Sequence, residues 1–148
     1  MASDDLPSAG VFKGCEHRLP VRVYYEDTDF TGLVYHASYI RFFERGRSDF
    51  LRLAGAGHVA MAALDTAFAV VRLEVDFRRA AGIDDALVVA TRIAWARGPR
   101  LRFAQEIERS GEMLCSAGVE AACIDPAGRP RRPPPELSRA LSPYLPGL

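Results

Sequence analysis

Beyond residue 66 the sequence alternates apolar and polar residues every second position and does not return to a long helical period, which leaves few folds open. Ala69, Val71, Leu73, Val75 and Phe77 face one way in the first segment, and the second, Ala86 to Ala96, is apolar nearly throughout. The third sets Leu101, Phe103 and Ile107 against Arg102, Glu106 and Glu108, and the fourth alternates Met113, Cys115, Ala117, Val119, Ala121 and Cys123. A period of two aligns side chains on one face of a strand. Turn residues at Ala81-Gly-Ile-Asp-Asp85, Arg97-Gly-Pro99 and Ser110-Gly111 divide the segments, so the run reads as mostly antiparallel hairpins.

The half before it carries a different rhythm. Val21, Val23 and Tyr25 alternate with Arg22, Tyr24 and Glu26, giving a half-buried strand that ends at the turn cluster Asp27-Thr-Asp29-Phe-Thr-Gly32. Tyr39, Phe43, Gly46, Phe50 and Leu53 are then spaced four, three, four and three, one stripe of a helix whose other faces carry Arg41, Glu44, Arg45, Arg47 and Arg52. The helix starts at His36 or Ser38 and stops at Gly55. Glycine on an apolar stripe costs about 1 kcal/mol relative to alanine, so Gly46 points to a backbone pressed against something flat, such as a sheet. His58 to Leu64 has room for a short second helix.

These elements predict an α+β fold: a five-stranded, mainly antiparallel sheet wrapped around one long helix. The free face and edge of such a sheet call for a partner, so a homo-oligomer is expected. Residues 1–16 read as a loose lead, 17–127 as the domain, and 128–148 as a Pro/Arg-rich tail with one or two helical turns between Glu136 and Leu141. The chain of 148 residues, 49% apolar and 26% charged, is long enough for a single core.

Charge and cysteine narrow the function. Nineteen basic and nineteen acidic residues cancel, so no overall field favours nucleic acid. No stretch is apolar enough for a membrane span, and Met1 to Asp5 has no secretory leader. Cys115 and Cys123, eight apart on one strand, are too distant to bridge, and three unpaired thiols point to a reducing cytoplasm. There is no G-x-S-x-G, no phosphate loop and no C-x-x-C, and His17, His36 and His58 lack zinc spacing. No metal or redox cofactor is expected. The carboxylate pair Asp27 and Asp29 beside a helix start is explained by capping or a turn, with catalysis left open.

The run Val23-Tyr-Tyr-Glu-Asp-Thr-Asp-Phe-Thr-Gly32-Leu-Val-Tyr-His36-Ala-Ser-Tyr39, continuing Ile-Arg-Phe-Phe-Glu-Arg-Gly-Arg47, resembles the signature of the hotdog-fold acyl-CoA thioesterases. It looks most like the YbgC branch, associated with the Tol-Pal cell-envelope system and related to 4-hydroxybenzoyl-CoA thioesterase. Val70-Val-Arg72, Asp84-Asp85, Arg97-Gly98 with Leu101 and Phe103, and Ile124-Asp-Pro126 extend the likeness over residues 18 to 127. The resemblance implies the hotdog fold, a homodimer or homotetramer, and an acyl-CoA substrate, with acyl carrier protein as a further candidate partner. It makes Asp29 the catalytic carboxylate, acting as nucleophile or general base, and the backbone N–H of His36 the oxyanion donor. Phe30, Gly32, Tyr35 and Arg72 are its implied substrate-binding positions. Phe30-Thr31 and Pro99-Arg100 depart from the usual pattern, the first placing a bulky ring beside the carboxylate. A hotdog scaffold that binds acyl groups without hydrolysis, and a hotdog dehydratase, are the competing readings.

Overall fold

The structure is a computed structural model that describes residues 5–147; positions 1–4 of the lead and position 148 of the tail lie outside the described residues. In chain order come β1 (Val11–Lys13), β2 (Glu16–Arg22), α1 (His36–Ala54), α2 (His58–Ala62), β3 (Ala67–Phe77), β4 (Ala86–Arg97), β5 (Arg100–Arg109), β6 (Glu112–Ile124) and α3 (Pro135–Leu141). The strands make one antiparallel sheet in the order β1-β2-β4-β5-β6-β3, with α1 packed against one face.

The sheet has six strands rather than five. The extra one, β1, lies in the stretch read as a loose lead and pairs with β2 through Val11–Arg18, Phe12–His17 and Lys13–Glu16. Three residues are too few for alternation to register, and what holds them is tertiary: the Phe12 ring packs edge-on against Phe50 at 4.9 Å and stacks on Tyr144 at 4.0 Å. The tail likewise joins the core, burying Leu137 and Leu141 of α3. Tyr25 departs from the expected strand as well; β2 ends at Arg22, and Tyr25 begins a 3₁₀ turn with its ring exposed.

The helix follows its stripe. Tyr39, Phe42, Phe43, Phe50 and Leu51 are buried, whereas Leu53 turns outward, and Gly55 closes α1 in the left-handed conformation that suits glycine (φ 90°). Gly46 fits the expectation of a close backbone contact: a Cβ there would lie 2.7 Å from Val89 Cγ1 and 2.9 Å from Thr91 Oγ1. Around this contact the Gln105 amide donates to the Phe43 carbonyl (2.9 Å) and to Thr91 Oγ1 (2.8 Å), and its oxygen accepts from Arg47 Nη1 (3.1 Å). A second buried tie joins His17 Nε2 to Asp49 Oδ2 at 2.7 Å, the same oxygen accepting the Gly10 N–H.

One alternation shifts phase. A bulge between Val70 and Arg72 means that Phe68, rather than Ala69, packs on the core before Val75 does. β3 pairs only with β6, and Val70, Val71, Leu73 and Phe77 stay exposed along this edge.

The Gly46 contact generates a stability prediction. Alanine there favours the helix by about 1 kcal/mol, but its methyl overlaps side chains that packing holds in place, an effect of about 1–3 kcal/mol in the opposite sense. Urea unfolding of Gly46→Ala is expected to show a lower midpoint than wild type at unchanged slope.

Candidate active site

The site is built where β2 hands over to α1. The 3₁₀ turn Tyr25–Asp27 is fixed by Asp27, whose buried carboxylate accepts the Tyr24 N–H at 2.8 Å and whose carbonyl accepts the Tyr35 N–H at 2.9 Å. Asp27 is thus the organiser of the turn and leaves Asp29 as the carboxylate at its surface. A tight loop follows: the Asp29 N–H donates to the Leu33 carbonyl (2.9 Å), the Gly32 N–H returns to the Asp29 carbonyl (3.2 Å), and Gly32 takes φ 82°.

The β3–β4 loop is zipped to this one. The Val34 N–H donates to the Ala81 carbonyl (2.9 Å), the Ile83 N–H to the Gly32 carbonyl (3.1 Å), and the Asp84 N–H to the Val23 carbonyl (2.9 Å). Asp85 pins the arrangement: its Oδ2 accepts the Gly82 N–H and Arg109 Nη1, both at 2.8 Å, which hold this carboxyl below the usual range. Tyr39 rises from the first turn of α1 and accepts the Ala81 N–H on its hydroxyl (2.9 Å).

Between these loops lies an open cleft of about 470 Å³ lined by Asp29, Val34, Tyr35, His36, Tyr39 and Phe77, among others. Its aromatic members are in contact: Tyr35 and His36 rings are 4.5 Å apart, and Phe77 meets Tyr39 edge-on at 5.7 Å. His36 is the first residue of α1, and its N–H has no backbone acceptor among the described residues. Such an N–H carries the positive end of the helix dipole toward whatever occupies the cleft. Asp29 itself is exposed. Its Oδ1 accepts the Thr31 hydroxyl (2.5 Å) and the Thr31 N–H (2.8 Å), and these two bonds hold its carboxyl below the ordinary carboxylate value. Oδ2 accepts no hydrogen bond from the described residues. The cleft therefore joins an ionised oxygen and an unpaired amide donor, the pair that attack on a carbonyl and stabilisation of the resulting oxyanion call for.

Asp29, Tyr35 and His36 are brought together as expected, and Gly32 shapes the loop. The other two expected substrate contacts stand apart. Phe30 projects fully into solvent and does not line the cleft. Arg72 pairs with Glu74 at 3.0 Å on β3, five residues or about 16 Å along the strand from Phe77. Glu44 is exposed and accepts the Ser48 hydroxyl (2.9 Å). Sequence reasoning missed Thr31, although an Asp followed two residues later by Thr is the pattern of a side-chain turn. Phe77 and the Ala80–Ala81 segment it had no means to assign, because they arrive from the far end of β3.

The family model described as the thioesterase-like superfamily matches residues 23–141. The acyl-CoA thioesterase YbgC of Haemophilus influenzae is 44% identical over 107 residues, 72% of this chain and 79% of that protein. The acyl-CoA thioester hydrolase YbgC of Escherichia coli is 44% identical over 110 residues, covering 74% and 82%. Among solved structures, a probable thioesterase from Bartonella henselae superposes with TM-score 0.77 at 44% identity, covering 80% of this chain and 99% of that one. A 1,4-dihydroxy-2-naphthoyl-CoA thioesterase from Synechocystis shares the fold at TM-score 0.79 and 23% identity, covering 86% and 96%.

The Thr31 bonds generate a titration prediction. Because hydrogen bonds to the ionised form lower a carboxyl pKa, Thr31→Ala, which loses the hydroxyl, is expected to raise that of Asp29. Carbon-detected NMR of the Asp29 carboxyl should show its midpoint moving to higher pH, with the Asp85 midpoint unmoved.

Proposed function

The chain belongs to the thioesterase-like superfamily, and from that membership we propose that it hydrolyses an acyl-CoA to a free carboxylic acid and CoA. The observation that carries the proposal is the pairing, across one cleft, of the unbonded Asp29 oxygen with the leading amide of α1.

In this reading the thioester carbonyl oxygen sits against the His36 N–H. One such donor in a dry site is worth about 3 kcal/mol to an oxyanion. Asp29 Oδ2 attacks the carbonyl carbon, the C–S bond breaks, and CoA leaves as a thiolate that takes a proton from water. Water then splits the mixed anhydride, returning the carboxylate and releasing the acid. The alternative, Asp29 as general base toward water, needs a pKa raised toward neutrality, and the Thr31 bonds push it the other way. The nucleophilic route is favoured on that ground. Hydrolysis moves no net electrons, so the scheme calls for no redox cofactor; the oxyanion is met by the His36 amide and the thiolate by water.

The reading includes a homodimer. β3 is an eleven-residue edge with one side unpaired and exposed Val70, Val71 and Leu73, the kind of edge that monomeric proteins blunt or cover. Antiparallel pairing of two such edges about a two-fold axis would continue the sheet. It would also bring the Phe77 end of one β3, at the cleft, beside the Phe68 end of the other. The three free thiols and a CoA ester substrate suit the cytoplasm.

Asp29→Asn keeps the loop's backbone bonds but removes the negative charge. It is expected to melt as wild type does while hydrolysing acyl-CoAs at least a hundredfold more slowly in a thiol-release assay; near-normal turnover would overturn the proposal. Sedimentation equilibrium is expected to give the mass of two or four 16.3-kDa chains, against which a single-chain mass would remove the dimer.

A further inference from the structure

Four residues of α1, His36, Ile40, Phe43 and Arg47, are spaced four, three and four and so stand on one stripe of the helix. The stripe begins in the cleft, where His36 is a lining residue, and reaches Arg47 about 16 Å further along the axis. Long side chains on a helix lean back toward its start, so the charged head lies nearer the cleft than its Cα does. That head rests on the sheet face packed against α1, where Nη1 donates to Gln105 Oε1 at 3.1 Å. Gln105, Ala117 and Val75 form one rung across β5, β6 and β3, and Ile107, Cys115 and Phe77 form the next rung on the same face. Phe77 lines the cleft. Arg47 is therefore joined to the cleft twice, along one helix stripe and by adjacent rungs of the sheet.

The charge at this place is unbalanced. The Gln105 bond is the one hydrogen bond the Arg47 guanidinium makes to the described residues, and no carboxylate among them lies within 4.0 Å of it. Glu44, three residues back on the helix, accepts the Ser48 hydroxyl instead. Arg47 is half-buried, and burial pulls its pKa below the usual arginine value. A cation withdrawn from water without a counter-charge is costly. The residues between it and the cleft are apolar or small: Ile40 on the helix, Cys115 and Ala117 on β6, and Val75 and Phe77 on β3, the last half-exposed. We propose that Arg47 selects the acyl group by receiving a carboxylate at the end of the chain remote from the thioester, the chain itself lying along Ile40, Val75 and Phe77. The proposal rests on the hydrolytic reading under Proposed function and narrows its substrate to CoA thioesters of dicarboxylic acids. A single guanidinium with one N–H given to Gln105 keeps one charge and N–H groups enough to grip one carboxylate.

The test uses the full chain and compares adipyl-CoA with hexanoyl-CoA, thioesters of equal carbon count that differ in the terminal carboxylate. Wild type is expected to show a kcat/KM at least tenfold higher for adipyl-CoA. In Arg47→Met that ratio should fall at least tenfold, carried by a higher KM for adipyl-CoA. Arg47→Lys, which keeps the charge without the fork and serves if the methionine variant does not fold, should retain part of the preference. Arg139→Gln, exposed on α3, should leave the ratio as it is. Equal hydrolysis of the two thioesters by wild type, or an equal loss on both in the Arg47 variants, would overturn the proposal. So would weaker dimerisation of these variants in sedimentation at an unchanged ratio, which would make Arg47 the partner of a carboxylate on a second copy. Asp29→Asn separates the two readings: by calorimetry it should bind adipyl-CoA at least tenfold tighter than hexanoyl-CoA. That preference upholds the role of Arg47 even if no thioester is hydrolysed, and equal binding overturns it.

Discussion

The seating of α1 on β4 and β5 through Gly46 is the contact from which the other features of this protein follow. Removing a side chain there lets the helix backbone approach Val89 and Thr91 more closely than a Cβ would permit. The Gln105 amide bonds to both the Phe43 carbonyl and Thr91, so helix depth and orientation are set by hydrogen bonds as well as by packing. A helix fixed along its middle has its first residue fixed too. Because the leading N–H groups point along the axis, the position of the His36 amide is a consequence of packing that occurs ten residues further on.

The carboxylate at this helix start is held by local chemistry of another kind. Thr31 takes one oxygen of Asp29 with two hydrogen bonds, which favour the ionised form and leave the other oxygen without a hydrogen bond from the described residues. Asp27 spends its carboxylate on the backbone of the preceding turn. Two aspartates two residues apart thereby acquire different roles, one buried and structural, the other exposed and available. The Asp85–Arg109 pair extends the scaffold by fixing the loop that carries Ala81, onto which both Val34 and Tyr39 bond.

β3 links the remaining observations. Its outer edge is unpaired, its Phe77 end lines the cleft, and its Phe68 end lines a second pocket beside α3. A strand of this length keeps these two ends apart within a chain. The bulge between Val70 and Arg72 lets Phe68 pack on the core and Phe77 meet Tyr39 of α1, although the two are an odd number of residues apart.

Much of this was legible in the order of residues. The period-two segments identified four strands, the apolar stripe with Gly55 behind it identified α1, and Asp27-Thr-Asp29 marked the turn before the helix start, where the proposed site lies. All of these are local signals, written within a turn or a strand's length, and so accessible to pattern. What only the tertiary structure decided depends on residues far apart in the chain. β1 exists because Phe12 finds Phe50 and Tyr144; the tail became part of the core because Leu137 and Leu141 have a surface to cover. The phase of β3 changed at a bulge that no composition marks, Phe30 turned away from the cleft, and Arg72 paired with Glu74 on the β3 edge. Periodicity reports which side of an element is apolar, whereas the partner of that side is selected by contacts between segments, and sequence spacing carries no measure of those distances.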